Sequence, residues 1–387
     1  MARKYYFDNQ KGHVLYSQQL QQAGVRTTRR QFQSEPVSTF LRYKHILDPD
    51  ATITYDASDT EAIRLIEVIK PEASQTQCLI NAINDIDITK NTVVVNFFEP
   101  LHTLPMLTSL GIKCISLPWG QKDSSLSRSI PLMYPLLTFR DDDTGNFTKV
   151  DYFKNLNKPY KFLTLCNKVM PWKLMLHAGL HDEDLVDQGL ISLRWRGSIL
   201  NEWHDYFSNS TGLKYTDTAK ALLQDKKILD LGEDIDSLTA RKRYSHKSSW
   251  YESTWLSLVI ESTTDSTSDY PYITEKTMAP LIAGHPFVVY GENNSIQLLK
   301  TIGFDVYDWL FTHTQLTNQQ RSLSRIEQDV IRVENVIQDV KHFSKEMVLD
   351  NQKLVKEAME HNQNLIDNGC LTLVSNEWQR VIGELTN

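Results

Sequence analysis

The sequence has no uninterrupted apolar run of the roughly 20 residues that a membrane-spanning helix needs, and its N-terminus, MARKYYFDNQ, lacks the apolar core of a secretory signal. Both absences lead to the expectation of a cytoplasmic protein. Cysteine is scarce: Cys78, Cys114, Cys166 and Cys370 stand far apart, with no CxxC pair and no Cys/His spacing for a metal. They read as free thiols of a reducing compartment, not as a disulfide framework. Positive charge is not in excess. The formal net charge is −7, which excludes binding of nucleic acid over the whole surface and leaves only local basic patches for it. No internal repeat and no low-complexity tract is visible.

What is present is ordinary globular composition, 41% hydrophobic and 23% charged over 387 residues. Such a length suggests two domains of about 150–200 residues. The stretch from Leu256 to Phe311 organises the rest. An apolar strand, Leu256 to Ile260, ends at Glu261. A polar Ser/Thr/Asp loop runs to Asp269-Tyr270-Pro271. Ile273-Thr274-Glu275-Lys276 then opens a helix closed by Gly284, and His285-Pro286 leads into a second strand, Phe287 to Tyr290. This is one α/β turn with charged residues at the strand's carboxyl end, where open α/β sheets bind ligands. Thr274 is a candidate N-cap, so free backbone N–H groups at that helix start favour an anion. Lys276 adds a positive charge suited to phosphate, and Glu275 can accept two hydrogen bonds from a vicinal diol such as a ribose. A solvated Glu-Lys pair at an ordinary helix start is the competing reading. Pro280 implies a kink or an irregular first turn.

The pattern Glu261-Ser262, Asp269-Tyr270, Tyr272-Ile273-Thr274-Glu275-Lys276 and Ala283-Gly284-His285-Pro286-Phe287-Val288-Val289-Tyr290-Gly291 resembles the donor-binding motif of the fucosyltransferase-like glycosyltransferases, with related segments in bacteriophage and algal-virus proteins. The resemblance covers about a seventh of the chain, continuing to Leu299-Lys300-Thr301-Ile302-Gly303-Phe304. It implies an α/β fold of GT-B type, two Rossmann-like domains facing a cleft with a C-terminal helical tail. It also implies an inverting, metal-independent transferase using a UDP- or GDP-linked sugar, with Tyr272, Thr274, Glu275 and Lys276 at the donor. The expected boundaries are 1–155 for an acceptor domain, 156–315 for a donor domain and 316–387 for the tail, which in such enzymes often crosses back to the first domain.

In the first half, Thr92 to Phe98 is a β-branched run that ends in Glu99-Pro100. A carboxylate just past a central strand can serve as general base toward an acceptor hydroxyl, so Glu99 is the candidate catalytic residue; a helix-capping acid is the alternative. The fucosyltransferases that the chain resembles carry the base in a Glu-Ser-Pro-like loop, and here the serine is missing. Ile63 to Ile69 is amphipathic and Ile112 to Leu117 is a short strand. Asp141-Asp142-Asp143 matches the Asp-x-Asp metal signature of the other large glycosyltransferase fold, GT-A. Asp85-Ile86-Asp87 and Asp234-Ile235-Asp236 match as well, and Thr144-Gly145 makes the first look like a turn. No metal is therefore expected.

In the second half, Tyr160 to Cys166 is a strand followed by Asn167-Lys168-Val169-Met170-Pro171-Trp172-Lys173. The viral and phage-type proteins that the segment resembles carry an arginine-rich loop there. Lys168 and Lys173 stand in those places and can meet a diphosphate as point charges without arginine's bidentate fork; a solvated helix start is the alternative. Arg194, within Arg194-Trp195-Arg196, is a further donor-site candidate, and Glu261 is a candidate contact to the sugar ring or ribose, or merely a strand terminus. Leu323 to Phe343 and Leu354 to Ile366 carry helical three- and four-residue apolar spacing.

Two basic runs remain, Arg26, Arg29 and Arg30, and Arg241, Lys242 and Arg243. Each reads either as a solvated loop or as a contact to a phosphate-bearing acceptor. With the phage resemblance, hydroxymethylated DNA becomes one concrete acceptor, and a glycan or lipid-linked acceptor is equally compatible. The competing class is a non-catalytic nucleotide- or nucleic-acid-binding protein of the same fold.

Overall fold

The computed structural model describes residues 3–6, 44–45, 47–56, 58–68, 92–96, 108–109, 111–116, 127–129, 149–166, 169–193, 206–207, 210–225, 248–262, 264, 271 and 273–386. The chain is α/β and divides into two compact units. One gathers Met1–Arg140 and Asn368–Asn387; the other gathers Asp141–Thr267 and Pro271–Asp367.

The first unit holds a parallel sheet of strands β1 (Lys4–Tyr6), β2 (Thr52–Thr54), β3 (Ile63–Val68), β4 (Thr92–Asn96), β5 (Lys113–Ser116) and β6 (Ser127–Ser129), in the order β2-β1-β3-β4-β5-β6. Thr92 through Val95 are all buried, as an interior parallel strand covered on both faces requires. The segment from Ile63, amphipathic in sequence, is an interior strand: Ile63, Leu65 and Ile66 are buried, and Arg64 stacks on its cross-strand partner Tyr6. The last helix of the chain, Cys370–Thr386, belongs to this unit. Its Trp378 is fully buried and donates to the Tyr5 hydroxyl (3.4 Å), which in turn donates to Asp48 (2.8 Å).

The second unit holds β7 (Tyr160–Cys166), β8 (Gly189–Leu193), β9 (Thr254–Ile260) and β10 (Phe287–Tyr290), all parallel, in the order β10-β9-β7-β8. Residues 149–155, expected in the first domain, pack here instead: the Val150 amide donates to Ala283 (3.2 Å) and the Tyr152 hydroxyl to Trp255 (2.6 Å). Helix α1 (Pro171–Asp182) follows β7, α2 (Thr216–Asp225) and α3 (Ser248–Glu252) precede β9, and α4 (Glu275–Ala283) joins β9 to β10. Beyond β10 come α5 (Ser295–Ile302), α6 (Arg325–His342), α7 (Lys345–Asp350) and α8 (Gln352–Asn364), so most of the expected tail is part of this unit; the Cys370–Thr386 helix is α9.

Local chemistry sets the helix ends. Ser324 donates its amide to Glu327 at the start of α6 (2.9 Å). Gly284 and Gly303 adopt left-handed φ after α4 and α5, and the amides that follow bond back to Pro280 and Leu299. Helix α4 runs through Pro280, which removes only the bond to the Lys276 carbonyl near the helix start. Helices α1 and α6 meet at Gly179, where a Cβ would lie 2.6 Å from Val333. On α4, the Gly284 corner meets Met359 and Gln363 of α8. Among the described residues no helix is long and apolar enough to cross a membrane.

Candidate functional site

In the second sheet the chain leaves β7 for β8 on one side and returns to β9 on the other. The carboxyl ends of β7 and β9 therefore flank the point where strand order reverses, the usual place for a ligand crevice in such sheets. Two helix starts lie at this edge, that of α1 after β7 and that of α4 after β9.

The end of β9 is fixed by one carboxylate. Glu261 is fully buried and takes four donors. Its Oε1 accepts from the Thr274 amide (3.0 Å) and the Thr277 hydroxyl (2.5 Å); its Oε2 accepts from the Thr274 hydroxyl (2.5 Å) and the Ser262 amide (3.1 Å). A carboxylate offers about four lone-pair sites, so the strand end, the returning loop and the first turn of α4 are bound through a single side chain. Gly291 makes room for it. A Cβ there would lie 3.1 Å from the Glu261 Cβ.

Thr274 caps α4 as its sequence position suggests, its hydroxyl accepting from the Lys276 amide (3.3 Å). The Lys276 ammonium is held by the Ser262 hydroxyl (3.0 Å) and the Thr274 hydroxyl (3.4 Å). A half-buried positive charge is thus anchored beside the helix N-terminus, where the helix dipole has the same sign. This combination favours an oxyanion. Glu275 is the first helical residue; its side chain lies outside the described part of the structure.

The α1 side is different. Lys173 is buried (6% exposed) and lies close enough to His177, one turn on, to disfavour its protonation. Burial, with Lys173 second, pushes His177 down to about 4. Trp172 accepts at its carbonyl from the Tyr290 hydroxyl (3.0 Å), and its indole carries the Arg325 guanidinium 4.9 Å above the ring. Behind Arg325, Asp329 of α6 is fully buried and accepts from Tyr206 (2.7 Å) and Arg332 (3.1 Å); burial raises its pKa.

The structure therefore brings Glu261, Thr274 and Lys276 together and buries Lys173 close to His177. Glu99, Lys168, Arg194, Tyr272, the run Asp141-Asp142-Asp143 and both basic runs, Arg26, Arg29, Arg30 and Arg241, Lys242, Arg243, lie outside the described residues. Among the described residues no group of His, Cys, Asp and Glu is arranged to hold a metal ion. Sequence reasoning gave Ser262 no role beyond its place in the motif and passed over Thr277, the two residues whose hydroxyls complete the cluster, and it passed over the Trp172–Arg325–Asp329 stack. Thr277 had a signal, since it repeats Thr274 three residues on and shares its helix face. The stack had none, because its members lie 153 and 157 positions from Trp172 in the sequence.

No family model, curated protein or solved structure matches this chain. The geometry of the cluster and the quoted segment carry the functional reading.

Proposed function

We propose that the chain is a glycosyltransferase of GT-B type that takes a nucleotide-diphosphate sugar, UDP- or GDP-linked, at the carboxyl edge of its second sheet. The observation that carries this reading is the Lys276 ammonium, held by Ser262 and Thr274 at the start of α4, within the segment that resembles a sugar-nucleotide motif. Glu261 has its acceptor sites filled by protein donors, so its part is to position the α4 start and Ser262 and not to touch the sugar.

In the reaction the acceptor hydroxyl attacks the anomeric carbon as the bond from that carbon to the diphosphate oxygen breaks. The oxygen leaves with the electron pair, and Lys276 at the α4 start stabilises the charge that develops on it. Glu99 takes the acceptor proton, and Glu275 accepts from the ribose hydroxyls. Inversion and independence of metal follow the resemblance. Phosphate-bearing, hydroxymethylated DNA held by the two basic runs is one acceptor for this reaction, and a net charge of −7 confines such binding to those local patches; a glycan or lipid-linked hydroxyl is the alternative. Affinity for DNA would fall steeply with salt.

The test is thermal unfolding of the full chain with UDP, GDP, CMP and their sugars, with and without EDTA, for wild type, Glu275→Ala and Lys276→Ala. A ligand at 100 times its Kd stabilises by about 2.7 kcal/mol. The expected outcome is stabilisation by one diphosphate, insensitive to EDTA and lost in both variants. If no nucleotide stabilises the wild type, the transferase reading fails.

A further inference from the structure

A second polar site lies beyond β10, the edge strand of the second sheet. From Tyr290 the chain turns through Gly291, Glu292, Asn293 and Asn294 into α5, while α6 and the loop at 312–316 stand opposite. Between them is an open-mouthed cleft of about 40 Å³. A water-sized group needs about 10–15 Å³ in this measure, so about three oxygen-sized groups fit and a whole ring does not.

Two buried donors line the cleft without a partner among the described residues. Asn293 is 4% exposed; its Oδ1 accepts from the Leu316 amide (2.9 Å), and its Nδ2 has no acceptor. Arg332 is 6% exposed; one terminal nitrogen bonds to Asp329 (3.1 Å) and the other reaches Gln328 at 3.5 Å, while Nε has no acceptor. An unsatisfied buried donor costs about 1–3 kcal/mol, so two lining one cleft from its two sides point to an occupant that supplies oxygens. The start of α5 lines the same cleft, and Asn294 gives it no side-chain cap.

Charge decides which oxygens. Arg332 is shared with Asp329, and the carboxylates of Glu292 and Asp339 also line the cleft. Burial lowers the pKa of His313, so it adds no positive charge near neutral pH. A phosphate or sulfate would meet two carboxylates against one already paired cation. A hydroxyl avoids this conflict, because it accepts from Asn293 or Arg332 and donates to a carboxylate.

We infer that the cleft binds the hydroxyl-bearing edge of an uncharged sugar or polyol, with the remainder of the molecule outside its mouth near the exposed Gln315. This rests on the cleft's own groups and stands whether or not the chain transfers a glycosyl unit.

Saturation-transfer NMR on the full chain tests it, with glycerol, D-glucose, D-galactose and L-fucose as probes and inorganic phosphate as competitor. Asn293→Asp keeps the oxygen that Leu316 needs and turns the free donor into an acceptor. Gln315→Trp obstructs the mouth from an exposed loop and leaves the buried groups intact. The expected result is saturation of at least one neutral probe, unaffected by phosphate and at least tenfold weaker in both variants. No saturation by any neutral probe, displacement by phosphate, or equal binding by wild type and Gln315→Trp would each overturn the proposal. Should Asn293→Asp fail to fold, Gln315→Trp decides alone.

Discussion

Replacing Glu261 by glutamine probes the clamp at the end of β9 with almost no change of shape. The amide nitrogen must take the place of one carboxylate oxygen. At Oε1 it faces the Thr274 amide, and at Oε2 it faces the Ser262 amide. The Thr274 and Thr277 hydroxyls can rotate to accept from the new NH₂, but a backbone N–H cannot, so either orientation strands one buried donor against another. Losing a hydrogen bond to a charged group costs about 1.5–3 kcal/mol, and the stranded donor adds about 1–3 kcal/mol if nothing relaxes. Partial relaxation brings the expected cost to about 2–4 kcal/mol. A chain of two units need not unfold in one step, so the readout should be local. Amide hydrogen exchange at Thr274 through Met278 should accelerate roughly 30- to 700-fold, at about 1.4 kcal/mol per factor of ten. Nucleotide binding should weaken with it, because Thr274 positions both the α4 start and Lys276. If exchange there stays within about threefold of wild type, Glu261 is not the clamp described above, and the site would have to be organised by another group.

Gly179→Ala should destabilise the second unit by about 1–3 kcal/mol despite alanine's better helix propensity, since the new Cβ would lie 2.6 Å from Val333 where α1 meets α6; a urea midpoint equal to or above wild type would contradict that contact. Lys158 is buried, donates to the Tyr251 carbonyl (3.0 Å) and sits 4.2 Å above the Tyr152 ring. Burial brings its pKa from 10.5 to about 8. Between these values the unfolded chain holds a proton that the folded chain has released, so stability should rise with pH from about 8 to 10.5, the penalty of the buried charge being full below about 8. Unfolding of Lys158→Met should lack that rise, and identical pH profiles for variant and wild type would refute it.

Much of the second sheet was legible because parallel strands covered on both faces are continuous apolar runs. Tyr160 to Cys166 and Phe287 to Tyr290 match β7 and β10. Glycine after an apolar segment marked the end of α4, and the spacing of Ile326, Val330, Val333, Ile337 and Val340 marked α6, whose buried face carries all five. The same rules gave less where side chains did something other than alternate. The segment from Ile63 reads as half-exposed because it carries Arg64, whose guanidinium lies over the Tyr6 ring of the neighbouring strand. The tail read as a unit of its own from its helical spacing, but periodicity reports that a helix has a buried face and not what covers it.

At the candidate site the division is similar. The order strand, acid, capped helix, glycine and strand, and the placing of Thr274 at the N-cap with Lys276 beside it, follow from the sequence, because capping and strand propensity act within a few residues. The role of Glu261 does not follow from it. A glutamate at a strand end is equally a solvated terminus or a ligand contact until its neighbours are known, and here the donors that occupy it come from Thr274 and Thr277, 13 and 16 residues away. Lys173 likewise reads as a phosphate contact by position, yet it is buried beside His177 because α1 turns that side inward. The cleft beyond β10 has no sequence signature, since its wall joins a turn at 291–294 to a helix that begins some 30 residues later. Local order was set by interactions that span one or two helical turns. Burial, which decides whether a charge meets solvent, ligand or another side chain, was set only when distant segments packed together.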